Sequence, residues 1–484
     1  MLTIHTSRPS RDCTGMSRRG FLRVGTAGLA GITLADLLAA RARAAGGEDY
    51  MTDKCVVFLY LAGGPPQTEM FDPKMDAPSE VRSSTGEVKT KLAGVTFGGT
   101  LPKLAARADK LAIVRSFQHG NNNHDGGKEL FGLDERGTAL SASYARMLGQ
   151  TDPVTGMLST AFLAPLAGGF TPSDMRKYMG FYYSGVAPTG HLPAAFSPFH
   201  PSDGASAKKA GLLADMELSV PIQKLEDRRE LWRQLDRMKL ALEPGSAAMQ
   251  AMSEHQQQAF DVLRRGISEA FDLSREDPRV IAEYDTTRFK TPGHLIRRQK
   301  NGKMSAQSQT ALGRQLLLAR RLCEAGCRFV TVGMNDWDMH GNVNSYPIHE
   351  GMVVMGGALD HAVSVFLDDV QRRGLSEKIL LVMTGEMGRT PRITTSRDTG
   401  SPGRDHWGEL GALALAGGGL NMGQVIGESD RHAGRPATEP IKPASLISTI
   451  THTLFDMGNL RLATGLPRDL VTTLASAEPI PQLL

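Results

Sequence analysis

Five short runs along the chain are apolar without alternation: Cys55–Ala62 (CVVFLYLA), Leu111–Phe117 (LAIVRSF), Arg328–Met334 (RFVTVGM), Lys378–Thr384 (KILLVMT) and Gly411–Ala416 (GALALA). A run with no polar face has nothing to offer water, so each predicts a strand buried on both sides. Between them the apolar positions recur at helical spacing. Ala311–Ala325 (ALGRQLLLARRLCEA) stops at Gly326, Gly357–Arg373 stops at Gly374, and Pro443–Met457 opens with Pro and stops at Gly458. Strands alternating with helices predict an α/β fold, a mostly parallel central sheet with helices on both faces. Leu212–Glu283 breaks that rhythm. It is charged, rich in Gln and Met, and helical in pattern (LEDRRELWRQLDRMKLALE), which predicts a helical insertion or cap.

The amino-terminal segment follows a different logic. Ser17-Arg18-Arg19-Gly20-Phe21-Leu22-Arg23 reads as a twin-arginine export signal, and Ala40-Arg41-Ala42 and Ala42-Arg43-Ala44 offer small-x-small cleavage sites. The apolar stretch between them, Val24–Ala40, contains Asp36 and is shorter than the roughly 20 residues a membrane span needs. An export signal is therefore expected over 1–45, followed by a single α/β domain over 46–484 with 212–283 inserted. The expected destination is the periplasm or another exported location, with the twin-arginine translocase as a transient partner.

Charge excludes one class of partner. The formal charge is +4, but residues 1–45 hold seven Arg and two Asp, leaving 48 basic against 49 acidic residues in the rest. Bulk charge thus gives no argument for nucleic acid. The 40% apolar and 22% charged content excludes a coiled coil, a collagen-like chain and wholesale disorder. Four Cys in 484 residues make no disulfide framework. Cys323 and Cys327 lack the further Cys or His that a zinc site needs, so buried packing is expected, with a disulfide between them open if the protein is exported.

Candidate chemistry gathers where the strands end. In open α/β sheets ligands bind beyond the carboxyl ends of the strands. The first run leads into Gly63–Asp72, the second into Gln118–Asp125, the third into Asn335–His340, and the fourth into Gly385–Thr390; Arg404-Asp405-His406-Trp407 precedes the fifth. Histidines and carboxylates on one edge suit a divalent metal or acid/base chemistry. The candidate metal ligands are Asp338, His340, His406, Glu386, Asp405 and Glu69, with Asp336 as an alternative to Asp338. His124 is a candidate acid, base or nucleophile, and Arg389 a candidate partner for an anionic group.

The chain resembles an uncharacterised family with twin-arginine leaders, related to the alkaline phosphatase and sulfatase superfamily. The resemblance rests on Gly63-Gly64-Pro65, Phe71-Asp72-Pro73-Lys74, Asn122-Asn123-His124, Leu317–Val332, Trp337-Asp338-Met339-His340, Gly385–Pro391, Asp405-His406-Trp407 and the closing Pro443–Leu454 segment. It implies an alkaline-phosphatase-like sheet, one or two divalent ions (zinc, calcium or another) and hydrolysis of phosphate or sulfate esters. On this resemblance Asp338 or Asp336 with His340, and His406, fall on metal ligands. Glu386-Met387 falls where an Asp-His pair belongs, and Gln67 or Glu69 would replace a missing Asp near Ala62-Gly63. Asn122-Asn123-His124 stands where a Ser, Thr or Cys nucleophile belongs, and of these only His is nucleophilic. Two functions are therefore expected: an exported metal-dependent ester hydrolase with altered machinery acting on a small-molecule or polysaccharide ester, or a non-catalytic exported binding protein for a ligand such as anionic polysaccharide.

Overall fold

The computed structural model describes residues 50–132, 134–152, 155–164, 183–200, 268–296, 308–463, 466, 468–474 and 476–484. The expected signal segment and residues 212–267 of the expected insertion lie outside the described residues. Contacts divide the chain into a larger unit, Thr52–Leu454 with Thr472–Leu484, and a smaller one that includes Phe455–Val471. In the smaller unit Tyr50 packs on Phe455, ring centroids 6.1 Å apart, and Asp456 caps the helix Met457–Leu462.

All five apolar runs hold strands of the larger unit, trimmed at their ends. The strands are β1 (Cys55–Leu61), β2 (Ala112–Val114), β3 (Thr160–Leu163), β4 (Phe329–Met334), β5 (Ile379–Thr384), β6 (Leu413–Gly417) and β7 (Gln424–Ile426). They form one seven-stranded sheet in the order β7-β2-β6-β5-β1-β4-β3. β1 pairs in parallel with β4 and β5, β3 with β4, and β7 with β2, whereas β6 is antiparallel to both β5 and β2. Every residue of β1, β4 and β5 is buried, as their unbroken apolar runs require.

Helices cover both faces. The main ones are α1 (Leu140–Leu148), α2 (Ser308–Glu324), α3 (Gly357–Arg372) and α4 (Pro443–Leu454). Alternate β1 residues Val57, Leu59 and Leu61 join Val330 and Val332 of β4 in one core with Leu316 of α2 and Val363 of α3. On the opposite face Phe58 and Tyr60 meet Phe131 at 5.2 and 4.9 Å, and Phe329 meets Tyr144 of α1 at 5.2 Å. The Tyr144 hydroxyl bonds Thr451 of α4 at 2.9 Å. The helical stretch Ile348–Arg372 has the length and hydropathy of a membrane span. Here it is a core helix, with Leu359, Val363 and Phe366 buried. Cys55, Cys323 and Cys327 are buried free thiols, as packing predicts.

The described end of the expected insertion, residues 268–283, is bound to this core. Glu276 meets Arg320 of α2 at 2.5 Å and Arg373, just past α3, at 2.9 Å.

Strand direction decides where the site forms. β1, β4 and β5 are parallel, so the segments leaving them emerge on one edge. β2 opposes β6, which opposes β5, so β2 ends on that edge too. β6 runs the other way, and the segment entering it, which carries Arg404–Trp407, starts from the same edge.

Candidate functional site

The segment after β4 alternates. Trp337 and Met339 are fully buried in the hydrophobic core, while Asp338 and His340 stay partly open to solvent. Asp336 begins the segment in the left-handed region at φ 73°, turning the chain out of the strand. Close approach to the β1 exit is possible because residue 63 is glycine: at φ 111°, a Cβ there would stand 2.6 Å from the Asp338 amide nitrogen. The loop after β2 is pinned to the entry of β6, since His119 N and Gly120 N both donate to Gly408 O, at 3.0 and 2.9 Å. That contact sets His124 beside His406, ring centroids 4.7 Å apart.

Asp338 is the hub. Its Oδ1 lies 2.8 Å from His340 Nε2 and 3.1 Å from His406 Nε2, and its Oδ2 lies 3.5 Å from His124 Nε2. The Nε2 atoms of His340 and His406 are 3.0 Å apart. Ligand atoms of His124, Asp338 and His406 all fall within 4.8 Å of one another. These side chains are 15–24% exposed, so a ligand from solvent can reach them.

The outer nitrogens explain why the inner ones converge. His406 Nδ1 donates to the Asn122 carbonyl at 2.8 Å, His340 Nδ1 to Asp405 at 2.7 Å, and His124 Nδ1 to Glu386 at 2.8 Å. A carbonyl or carboxylate can only accept, so each Nδ1 carries the hydrogen, and in the neutral ring each Nε2 presents a lone pair inward. Lone pairs of two imidazoles and a carboxylate at 2.8–3.1 Å repel unless a proton or a cation lies among them. The spacing is only slightly inside the roughly 3.3 Å expected between ligands about 2.0–2.1 Å from a tetrahedral zinc. His124, Asp338 and His406 fit as ligands of a divalent cation, with His340 Nε2 beside them and 3.2 Å from Arg389 Nη1. Burial pulls the His124 imidazolium pKa down, but hydrogen bonds to Asp338 and Glu386 outweigh it and raise the value to about 9. Burial works against charge on Asp338 as well, yet Arg389 and the three histidines hold its carboxyl well below the usual range.

Glu386 and Asp405 border this cluster as orienting carboxylates. Glu386 is fully buried and also accepts from Gly63 N at 2.9 Å, whereas Asp405 is mostly exposed. Two expected roles need correction. Glu69 is not beside the cluster's donors: it is fully buried, its carboxylate accepting from Ser83 Oγ at 2.7 Å and Ser84 N at 2.9 Å and pairing with Arg404 at 3.0 Å. Those partners meet its charge without a metal. Arg389 is not free to clamp an anion. It is fully buried and its guanidinium donates to Asp338 and to the carbonyls of Gly63, Gly64 and Arg404. Asp336 accepts from Asn335 at 3.2 Å, and burial raises its pKa to about 7.

One contributor was missed by sequence reasoning: the Asn122 carbonyl orients His406, and a backbone atom leaves no residue-type signal. Gln67, expected as a stand-in for a missing Asp, instead clamps Arg389 at both ends, donating to its carbonyl at 2.8 Å and accepting from its amide at 2.9 Å. A cavity of about 550 Å³, lined by Gln118, His119, Glu129, Asp134, Lys442 and Ile447 among others, includes none of the cluster's residues.

Fold and site together define an α/β protein with a histidine–carboxylate centre at the carboxyl edge of its sheet. The chain belongs to the family described as "Protein of unknown function (DUF1501)", which matches residues 53–482. Among solved structures it is similar to the PsFucS1 sulfatase from Pseudoalteromonas sp., at 13% identity and TM-score 0.31, over 82% of this chain and 68% of that one. It is also similar to the alkaline phosphatase of the Antarctic bacterium TAB5, at 10% identity and TM-score 0.30, over 77% of this chain and 94% of that one. No curated protein matches it.

Proposed function

We propose that this protein is an exported, divalent-metal-dependent hydrolase of phosphate or sulfate esters. The observation that carries the reading is the common posture of His124, His340 and His406. Each has Nδ1 tied to an outside acceptor and Nε2 turned toward Asp338. Such outer contacts fix the tautomer and raise the basicity of metal-binding imidazoles. A divalent cation bound there supplies Lewis acidity to an ester oxygen and lowers the pKa of water. Asp405 and Glu386 hold the rings of His340 and His124 in place, and Arg389 fixes Asp338. His124 serves in this reading as a donor, since its Nδ1 is committed to buried Glu386. The ester class rests on the superfamily resemblance, and export rests on Arg18-Arg19 and the stretch after them. Changing both arginines to Lys should leave the protein in the cytoplasm, as fractionation would reveal; undiminished export would refute that route.

Purified protein should contain a divalent metal by plasma emission and hydrolyse aryl phosphates or aryl sulfates. His340→Ala and His406→Ala should each lose both properties. A second reading, a non-catalytic binding protein for anionic polysaccharide, is favoured by one observation: Arg389 is spent inside the protein rather than offered to an anion. Metal without hydrolysis of either ester class would select it. Neither metal nor hydrolysis with any divalent ion would sink the hydrolase.

A further inference from the structure

We propose that Arg389 is a built-in cation occupying the place beside Asp338 where a second metal ion would be drawn, so that the centre takes one divalent ion per chain. The inference rests on the metal-centre reading above and adds its stoichiometry. All five N–H groups of the guanidinium have acceptors. Nε donates to Gly64 O at 3.1 Å, Nη1 to Arg404 O at 3.1 Å and His340 Nε2 at 3.2 Å, and Nη2 to Gly63 O and Asp338 Oδ1. Gly63 and Gly64 leave the end of β1 at φ 111° and 83°, and their carbonyls converge on this one group.

The backbone keeps it there. Gln67 clamps residue 389 through both its amide and its carbonyl, and Arg389 pairs with His406 in a short antiparallel ribbon, Gly388–Arg389 against His406–Trp407. A side chain with every donor used and its backbone fixed on two sides has no low-cost way to swing out. Stripped of the guanidinium, the site would consist of the carbonyls of Gly63, Gly64 and Arg404 with Asp338 Oδ1, and His340 Nε2 at its border. Four oxygens of that kind suit calcium or magnesium.

Charge gives the same answer. Asp338, Glu386 and Asp405 are the carboxylates hydrogen-bonded into the cluster. Their three negative charges are balanced by Arg389 and one divalent ion. A second divalent ion would leave two uncompensated positive charges in a partly buried site, which is costly.

The test is equilibrium dialysis of the full chain against Zn²⁺, Mn²⁺, Ca²⁺ or Mg²⁺, with metal per protein counted by plasma emission. One equivalent is expected. Two equivalents overturn the role of Arg389 while leaving the metal centre standing, and none overturns the metal centre itself. Arg389→Ala is expected to keep the first equivalent and gain a second of Ca²⁺ or Mg²⁺, whereas Arg389→Lys, which retains the charge, should stay at one. A folded Ala variant that stays at one in millimolar Ca²⁺ and Mg²⁺ overturns the inference. If circular dichroism shows the Ala variant unfolded, the counts for the natural chain and the Lys variant decide it.

Discussion

One atom per imidazole does the orienting, and the three histidines do not depend equally on side chains. His406 leans on a backbone carbonyl, His124 on buried Glu386, and His340 on Asp405, which is 62% exposed. Asp405 is therefore the contact removable with least harm to the fold. Asp405→Ala should weaken metal binding by about 10–100-fold, the usual cost of losing an outer contact, with little change in Tm. Asp405→Asn, whose amide oxygen still accepts from Nδ1, should recover most of the affinity. Chelator competition measures both, and equal losses in Ala and Asn would show that ring orientation is not the cause. Glu69 makes the opposite case. Glu69→Gln leaves Arg404 buried without its counter-charge, and removing one partner of a buried pair costs about 3–5 kcal/mol. Denaturant midpoints should fall accordingly while the folded fraction keeps its full metal content; a metal-free but stable variant would restore Glu69 to the ligand set. In the sequence Asp338, His340 and His406 stood out because each follows or precedes an apolar strand. Glu69 looked alike on those grounds. What separates it is Arg404 packed against it from far along the chain, a tertiary pairing that local pattern does not encode.

At the scale of elements, length governed what could be read. The three central strands β1, β4 and β5 have six or seven buried residues each and announced themselves as unbroken apolar runs. β3 (TAFL) and β7 (QVI) are too short to rise above the background of a loop-rich chain. The reversed direction of β6 was illegible, although it explains why Asp405 and His406 come before their strand rather than after it. The described end of the expected insertion, residues 268–283, is also tied to its surroundings by contacts no periodicity could show. Glu276 is buried among Arg320, Arg321 and Arg373. Burial disfavours its charge, but hydrogen bonds and attraction from these arginines win and lower its pKa from 4.5 to about 2. The folded value lies below the unfolded one, so the stabilisation is fully present above pH 4.5 and is lost as pH falls toward 2. By linkage it is on the order of 3 kcal/mol. Glu276→Gln should be less stable at neutral pH and flatter between pH 4.5 and 2 in urea titrations. A variant whose acid profile parallels the natural chain would show that Glu276 does not carry this dependence.

For the molecule as a whole, the centre joins parts of the chain that only the complete sheet brings together. His124 arrives from the loop after β2, Asp338 and His340 from the exit of β4, and His406 from the entry to β6. An unfolded chain has no such constellation, so a cation that binds these donors binds the native state alone and shifts the folding equilibrium by mass action. At a free concentration about 100 times Kd the gain is about 2.7 kcal/mol. For a domain of this size the entropy of unfolding converts that into a rise of about 3 °C in Tm. The rise should continue with the logarithm of metal concentration, since the linkage does not saturate when the site fills. It should shrink in Asp405→Ala in proportion to the loss of affinity and disappear in the double variant His340→Ala, His406→Ala, which retains every other contact of the sheet. Melting curves across a metal series with the natural chain and both variants measure this directly. A Tm that ignores every divalent ion tested, or that rises equally in the double variant, would place the stabilising cation elsewhere and remove the centre at Asp338 from consideration.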